Sequence, residues 1–173
     1  MALEEPKFEV IAEIGDVEIR RYEPYIVAEV DVPDGNSGFR KLAGYIFGDN
    51  DQNEKMAMTA PVESRESATA DRYTYSFVME RKYSLDTLPR PDNEEIRVIS
   101  RPERVVAALR YSGRWTDKNF RRHREELLQA LDEAGIKPIG TPEQARYNNP
   151  FTPSFLRRNE VIIPVEWSNE PSS

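Results

Sequence analysis

The chain has 173 residues, no cysteine, one histidine (His123) and a net charge of −7. That length suits a single domain over 1–173, and the composition excludes a disulfide framework, a thiolate zinc site, an iron–sulfur cluster, a cysteine nucleophile and any multi-histidine metal site within one chain. The acidic balance lacks a nucleic-acid binder's basic footprint, no run approaches the ~18 apolar residues of a membrane span, and MALEEPKFEV does not read as a secretory signal. The expectation is a soluble, cytoplasmic protein with no nucleic-acid or membrane partner.

VEIRRY and YIVAEVDV, from Val17 to Val32, read as two strands broken at Glu23-Pro24; Ile26, Ala28 and Val30 alternate with Tyr25, Val27 and Glu29. Pro33 to Ser37 is turn-like, with Asn36 or Ser37 placed to cap a helix over about 38–47 that Gly48 ends. The apolar positions of this helix are Phe39, Leu42, Ala43, Tyr45 and Ile46, with Arg40 and Lys41 outward. A polar loop and MAMTAPV lead into a strand over RYTYSFVME.

The second half follows the same plan. Strands are predicted over 96–99 and 105–111, then a helix capped by Thr116 or Asp117, running to about Ala134 and closed by Gly135 and Pro138. Phe120, His123, Leu127 and Leu131 form one helical stripe, which makes His123 read first as a packing residue. RYNNPF and the strand NEVIIPVE follow, and the tail 168–173 is expected to fray. Between Ile96 and Glu125 nine basic residues face three acidic ones, a run that reads as a solvated face or as an attraction for an anionic group.

Ile19 matches Ile96, Phe39 matches Phe120 and Pro61 matches Pro150 at slowly growing offsets, so the chain reads as a duplication with halves at about 17–90 and 95–166. The predicted fold is α+β: duplicated strand-strand-helix-strand units forming a twisted antiparallel sheet or distorted open barrel flanked by two helices. A groove between such halves is a natural ligand site.

Phosphate-loop, dinucleotide, zincin and nucleophile-elbow signatures are absent, and the Asp49–Asn53 turn lacks the glycine and glutamate of a calcium loop. Met56 and Met58, two residues apart, point to one side of an extended chain, either as core filling or as a soft apolar wall beside the first helix.

Tyr45, Gly48, Asn50 and Met58-Thr59-Ala60-Pro61-Val62 resemble the SOUL family of heme-binding proteins, as do Tyr111-Ser112-Gly113, Tyr147-Asn148-Asn149-Pro150 and Arg157-Arg158-Asn159-Glu160-Val161. The match runs in order from about Val17 to Val165. The resemblance implies non-enzymatic binding of heme or another porphyrin, for buffering, transport or delivery, against the first helix. The implied wall is Phe39, Leu42, Ala43, Tyr45 and Ile46 with Met56 and Met58, and Arg40 and Lys41 would meet the propionates. The family's animal members carry basic residues where this chain has Asn36, Gly44 and Pro153. His123 is the candidate axial ligand, with Tyr45, Met56 and Met58 behind it. The alternative is an effector-binding-type module for another apolar or cationic small molecule, or a protein-interaction module. A glutamate deep in the groove would suit a cation; a cation-lined apolar face would suit heme.

Overall fold

The computed structural model describes residues 3–67, 71–149 and 151–168. Their elements are β1 (Phe8–Ile14), β2 (Val17–Tyr22), β3 (Tyr25–Val32), α1 (Gly35–Ile46), β4 (Val62–Glu66), β5 (Tyr73–Val78), β6 (Arg97–Arg101), β7 (Arg104–Tyr111), α2 (Asp117–Glu133), β8 (Glu143–Arg146) and β9 (Asn159–Pro164). A short 3-10 turn covers Ser154–Leu156. The nine strands form one antiparallel sheet in the order β1-β2-β7-β9-β8-β4-β5-β3-β6, curled into a half-barrel, so the predicted α+β class holds. Without β1, this order is unchanged when β2-β3-α1-β4-β5 is exchanged for β6-β7-α2-β8-β9.

Period-two alternation sorts the strands' side chains onto two faces. On β3, Ala28, Val30 and Val32 face α1 and pack with Leu42, Tyr45, Ile46 and Phe77. On β7, Ala107, Leu109 and Tyr111 face α2 and pack with Leu127, Leu131 and Val161. Tyr22, Tyr25, Val27, Val106, Ala145 and Ile162 form a third cluster from the other side of the sheet.

Helix α1 starts earlier than the sequence pattern indicates. Its cap is Asp34, whose carboxylate accepts the Ser37 N–H at 2.9 Å, because an aspartate before Gly35 offers the orphan donors a charged acceptor. Gly38 lets this helix sit tightly: a Cβ there would lie 2.9 Å from Val32 Cγ2 and 3.0 Å from the Tyr75 ring. Thr116 caps α2, as expected, by accepting the Asn119 N–H. Three strands are absent from the sequence reading. β1 alternates Phe8, Val10, Ala12 and Ile14 with Glu9 and Glu13 and forms an edge of the sheet, a pattern the sequence reading passed over; β4 and β8 are short and carry Glu, Ser, Arg and Gln. Pro61 precedes β4 and Asn149 follows β8, while Pro150 and the tail beyond Ser168 lie outside the described residues.

The basic run divides. Arg97, Arg101 and Arg104 meet Glu29, Asp31, Glu63 and Glu143, whereas Arg114, Lys118, Arg121 and Arg122 stay exposed around the start of α2. A further buried pair joins β2 to β9: Arg20 donates to both Glu160 oxygens at 2.7 and 2.8 Å, and Tyr147 Oη donates to Glu160 Oε1 at 2.9 Å.

Burial alone would raise the Glu160 carboxyl, but the hydrogen bond and charge of Arg20, then Arg158, outweigh it and hold the group below the usual carboxylate range. A depressed folded-state value contributes stability that is present above the unfolded value of about 4.3 and lost as pH falls through the folded one. Arg20→Ala, which removes the nearer cation and leaves Glu160 to Arg158 and Tyr147, is expected to cost about 3 kcal/mol in urea unfolding. Glu160→Gln should flatten the loss of stability with acid below about pH 5.

Candidate functional site

Helix α1 packs on β3 and β5 and helix α2 on β7 and β9, with β4 and β8 side by side between them. Register places a cross-strand row Phe77–Val62–Arg146–Asn159–Tyr111 along the helix-facing surface. A second row runs Tyr75–Ser64–Gln144–Val161–Leu109. Phe39 of α1 meets Phe77 edge-on at 5.5 Å, and His123 of α2 stacks on Tyr111 at 4.2 Å. Over the β4–β8 seam lies a groove of about 410 Å³, with Tyr73, Tyr75, Phe120, Arg124, Gln144 and Arg146 among its walls.

Arg146 decides the electrostatics of this groove. Burial pulls its pKa down from the ordinary arginine value, an effect that Tyr75 and Tyr111 partly offset. A guanidinium stays protonated in proteins, so the groove holds a partly dehydrated cation. Its side-chain neighbours are Gln144 Oε1 at 3.4 Å and the Trp115 ring at 5.0 Å; its Nε has no hydrogen-bond partner. No carboxylate of the described residues pairs with it. Asp34, Glu66 and Asp117 also line the groove, but all three are solvent-exposed. An anionic group entering there would restore the hydrogen bonds that burial removed.

The predicted wall residues separate by depth. Leu42 (0% exposed), Tyr45 (1%) and Ile46 (1%) turn into the core, and Tyr45 Oη donates to the Pro89 carbonyl at 2.7 Å. Met56 is buried in the same cluster, while Ala43, Met58 and Val62 are half-buried against it. Phe39 is half exposed and Arg40 is exposed. Lys41 pairs with Glu95, just before β6, on the flank of α1 away from the seam. His123 Nδ1 donates to the Asn119 carbonyl at 2.7 Å, which leaves Nε2 as the nitrogen with ligating capacity.

Sequence pattern alone does not gather Tyr75, Phe120, Arg124 and Arg146, which come from three separate elements. One signal was available: Tyr73, Tyr75 and Phe77 alternate along RYTYSFVME and mark an aromatic face. On the opposite face the seam carries Glu63, whose Oε1 accepts from Tyr25 Oη at 2.9 Å and whose Oε2 lies 3.5 Å from Arg101. Burial raises the Glu63 carboxyl, with Arg101 opposing. No cluster of three or more His, Cys, Asp or Glu able to hold a metal occurs among the described residues.

The profile of the family described as SOUL heme-binding protein matches residues 3–164. Heme-binding protein 2 of Mus musculus is 28% identical over 99% of this chain and 89% of its own length. Heme-binding protein 2 of Homo sapiens is 29% identical over 91% of this chain and 81% of its own. In fold, the chain is similar to the crystal structure of the EcmrR C-terminal domain, with TM-score 0.64 and 16% identity, covering 87% of this chain and 96% of that one.

Arg146→Met exchanges a dehydrated cation for an apolar chain of similar length, so urea unfolding should show unchanged or slightly higher stability, by about 0–1 kcal/mol. His123→Ala removes a stacked ring and should cost about 1–2 kcal/mol by the same measurement.

Proposed function

Because the chain belongs to the SOUL heme-binding family, we propose that it binds heme or a related tetrapyrrole in the groove over the β4–β8 seam, as a non-enzymatic cytoplasmic carrier for buffering, transport or delivery. The observation that carries this reading is Arg146, a protonated and partly buried side chain with no carboxylate partner, in a groove that Tyr75 and Phe120 also line. A porphyrin presents the complementary chemistry: a broad apolar face and two carboxylates.

In this reading Tyr75 and Phe120 supply apolar surface within the groove, Phe39, Ala43, Met58 and Val62 extend it beside α1 beyond the groove's own walls, and Leu42, Tyr45, Ile46 and Met56 back it from the core. Arg146 takes over the propionate role that the resemblance assigns to Arg40 and Lys41, since Lys41 is engaged by Glu95; Arg124, which also meets Glu125, stands beside it on the groove wall. Arg40 remains a cation at the outer edge. His123 is the residue proposed to reach the iron through Nε2. The unchanged strand order under exchange of the two units supports reading the chain as two duplicated halves.

A cationic effector would favour a buried, unpaired carboxylate in the groove, and the carboxylates that line it, Asp34, Glu66 and Asp117, are all solvent-exposed. The buried Glu63 lies on the other side of the sheet and is met by Arg101 and by Tyr25. The charge arrangement therefore favours the anionic ligand.

Hemin titrated into the purified chain should give a saturable Soret shift at micromolar concentration. Arg146→Met should weaken it about ten-fold, the loss of one charge-assisted hydrogen bond. Phe39→Asp should abolish it, with circular dichroism verifying the fold. Absence of a saturable shift with hemin and with protoporphyrin overturns the proposal. His123→Ala reports on the iron: altered spin-state bands assign it as ligand, while unchanged bands with lower stability assign it to packing.

A further inference from the structure

The loop between β8 and β9 exposes three large apolar side chains within six residues: Phe151 is 94% exposed, Phe155 74% and Leu156 63%. Its backbone is nevertheless well fastened. Asn149 Oδ1 accepts the N–H groups of Phe151 and Thr152, the Thr152 carbonyl accepts Arg157 Nε at 2.9 Å, and the Gly113 N–H donates to the Ser154 carbonyl at 2.9 Å. The Arg157 guanidinium lies 4.2 Å from the centroid of the Trp115 ring. A fastened loop that holds its apolar tips away from the core marks an interaction surface.

Cations adjoin it. Gly113, which holds the loop, also lines a surface depression of about 610 Å³ together with Arg114, Lys118, Arg121 and Arg122. Among the described residues no carboxylate forms an ion pair with any of these four; Glu125, on the same wall, is engaged by Arg124. On a chain of net charge −7, this places a positive collar beside an apolar tip.

We propose that this face docks on an anionic lipid bilayer, with Phe155, Leu156 and Phe151 entering the headgroup layer and the Arg114–Arg122 cations meeting the lipid charges. Apolar insertion and basic contact together give interfacial binding that neither supplies alone. A nucleic acid would use the cations and leave the apolar tips in water. The remaining acidic surface is repelled by the same membrane, which fixes the docked orientation. No helix among the described residues is long and apolar enough to cross a membrane, and docking of this kind needs none. The sequence expectation of no membrane partner rested on the missing span, so it does not bear on surface docking.

Co-sedimentation of the full chain without heme tests this, using phosphatidylcholine vesicles with and without phosphatidylserine. The anionic vesicles should retain about ten-fold more protein at low salt, and raised salt should release most of it. Phe155→Ser with Leu156→Ser, and separately Lys118→Glu with Arg122→Glu, should each reduce binding to the phosphatidylcholine level while thermal unfolding stays unchanged. Equal binding to both vesicles, binding to neither, or full retention by either folded double variant overturns the proposal.

Discussion

A helix is about 10 Å across with its side chains and neighbouring strands are about 4.8 Å apart, so one helix covers roughly two strands of a sheet. Here α1 covers β3 and β5, α2 covers β7 and β9, and β4 and β8 lie between them with no helix of their own. The rest of the arrangement depends on this mismatch between nine strands and two helices. The seam strands stay short and polar because their helix-facing side is not sealed, and the groove exists because the seam is open.

The two faces of the sheet answer the same problem differently. Away from the helices, the curled sheet buries charge in compensated groups: Arg20 with Glu160, and Arg101 and Arg104 with Glu143. Tyr25 and Tyr147 add their hydroxyls to carboxylates in these groups. In these groups each buried guanidinium faces a carboxylate, so the charges are compensated although Arg101 Nη2, Arg104 Nε and Arg158 Nε have no hydrogen-bond partner. On the helix side Arg146 has a glutamine and an indole for neighbours. The contrast between paired and unpaired arginines, rather than the total charge, distinguishes the candidate site from the structural networks.

Much of the fold is legible in the chain. Alternation in YIVAEVDV, the Phe120–Leu131 stripe and the glycines after both helices identify β3, α2 and the helix ends because each is a local pattern with a local cause. β4 and β8 escape such reading because they are held by pairing with each other and with β5 and β9, not by burial of an alternating apolar face. The candidate site is legible only in part. Phe39, Ala43 and Met58 can be read from the helix face and the methionine spacing. Leu42, Tyr45 and Ile46 belong to the same apolar stripe, yet periodicity cannot say how deeply a helix sinks into its sheet.

By itself the sequence determined the α+β class, the family motifs, the absence of cysteine and the single histidine, since composition and near-neighbour spacing need no knowledge of packing. Tertiary structure decided which cations are spent and which remain. Arg97, Arg101 and Arg104 are indistinguishable in sequence from Arg114, Arg121 and Arg122, yet the first three pair with carboxylates, Arg101 and Arg104 in a buried network, and the others form no ion pair among the described residues. Arg146 acquires its character from strand register alone: pairing with Val62 and Asn159 sets it at the open seam, where a charge is dehydrated without being neutralised. Electrostatic worth depends on distance and burial, and both are properties of the folded chain.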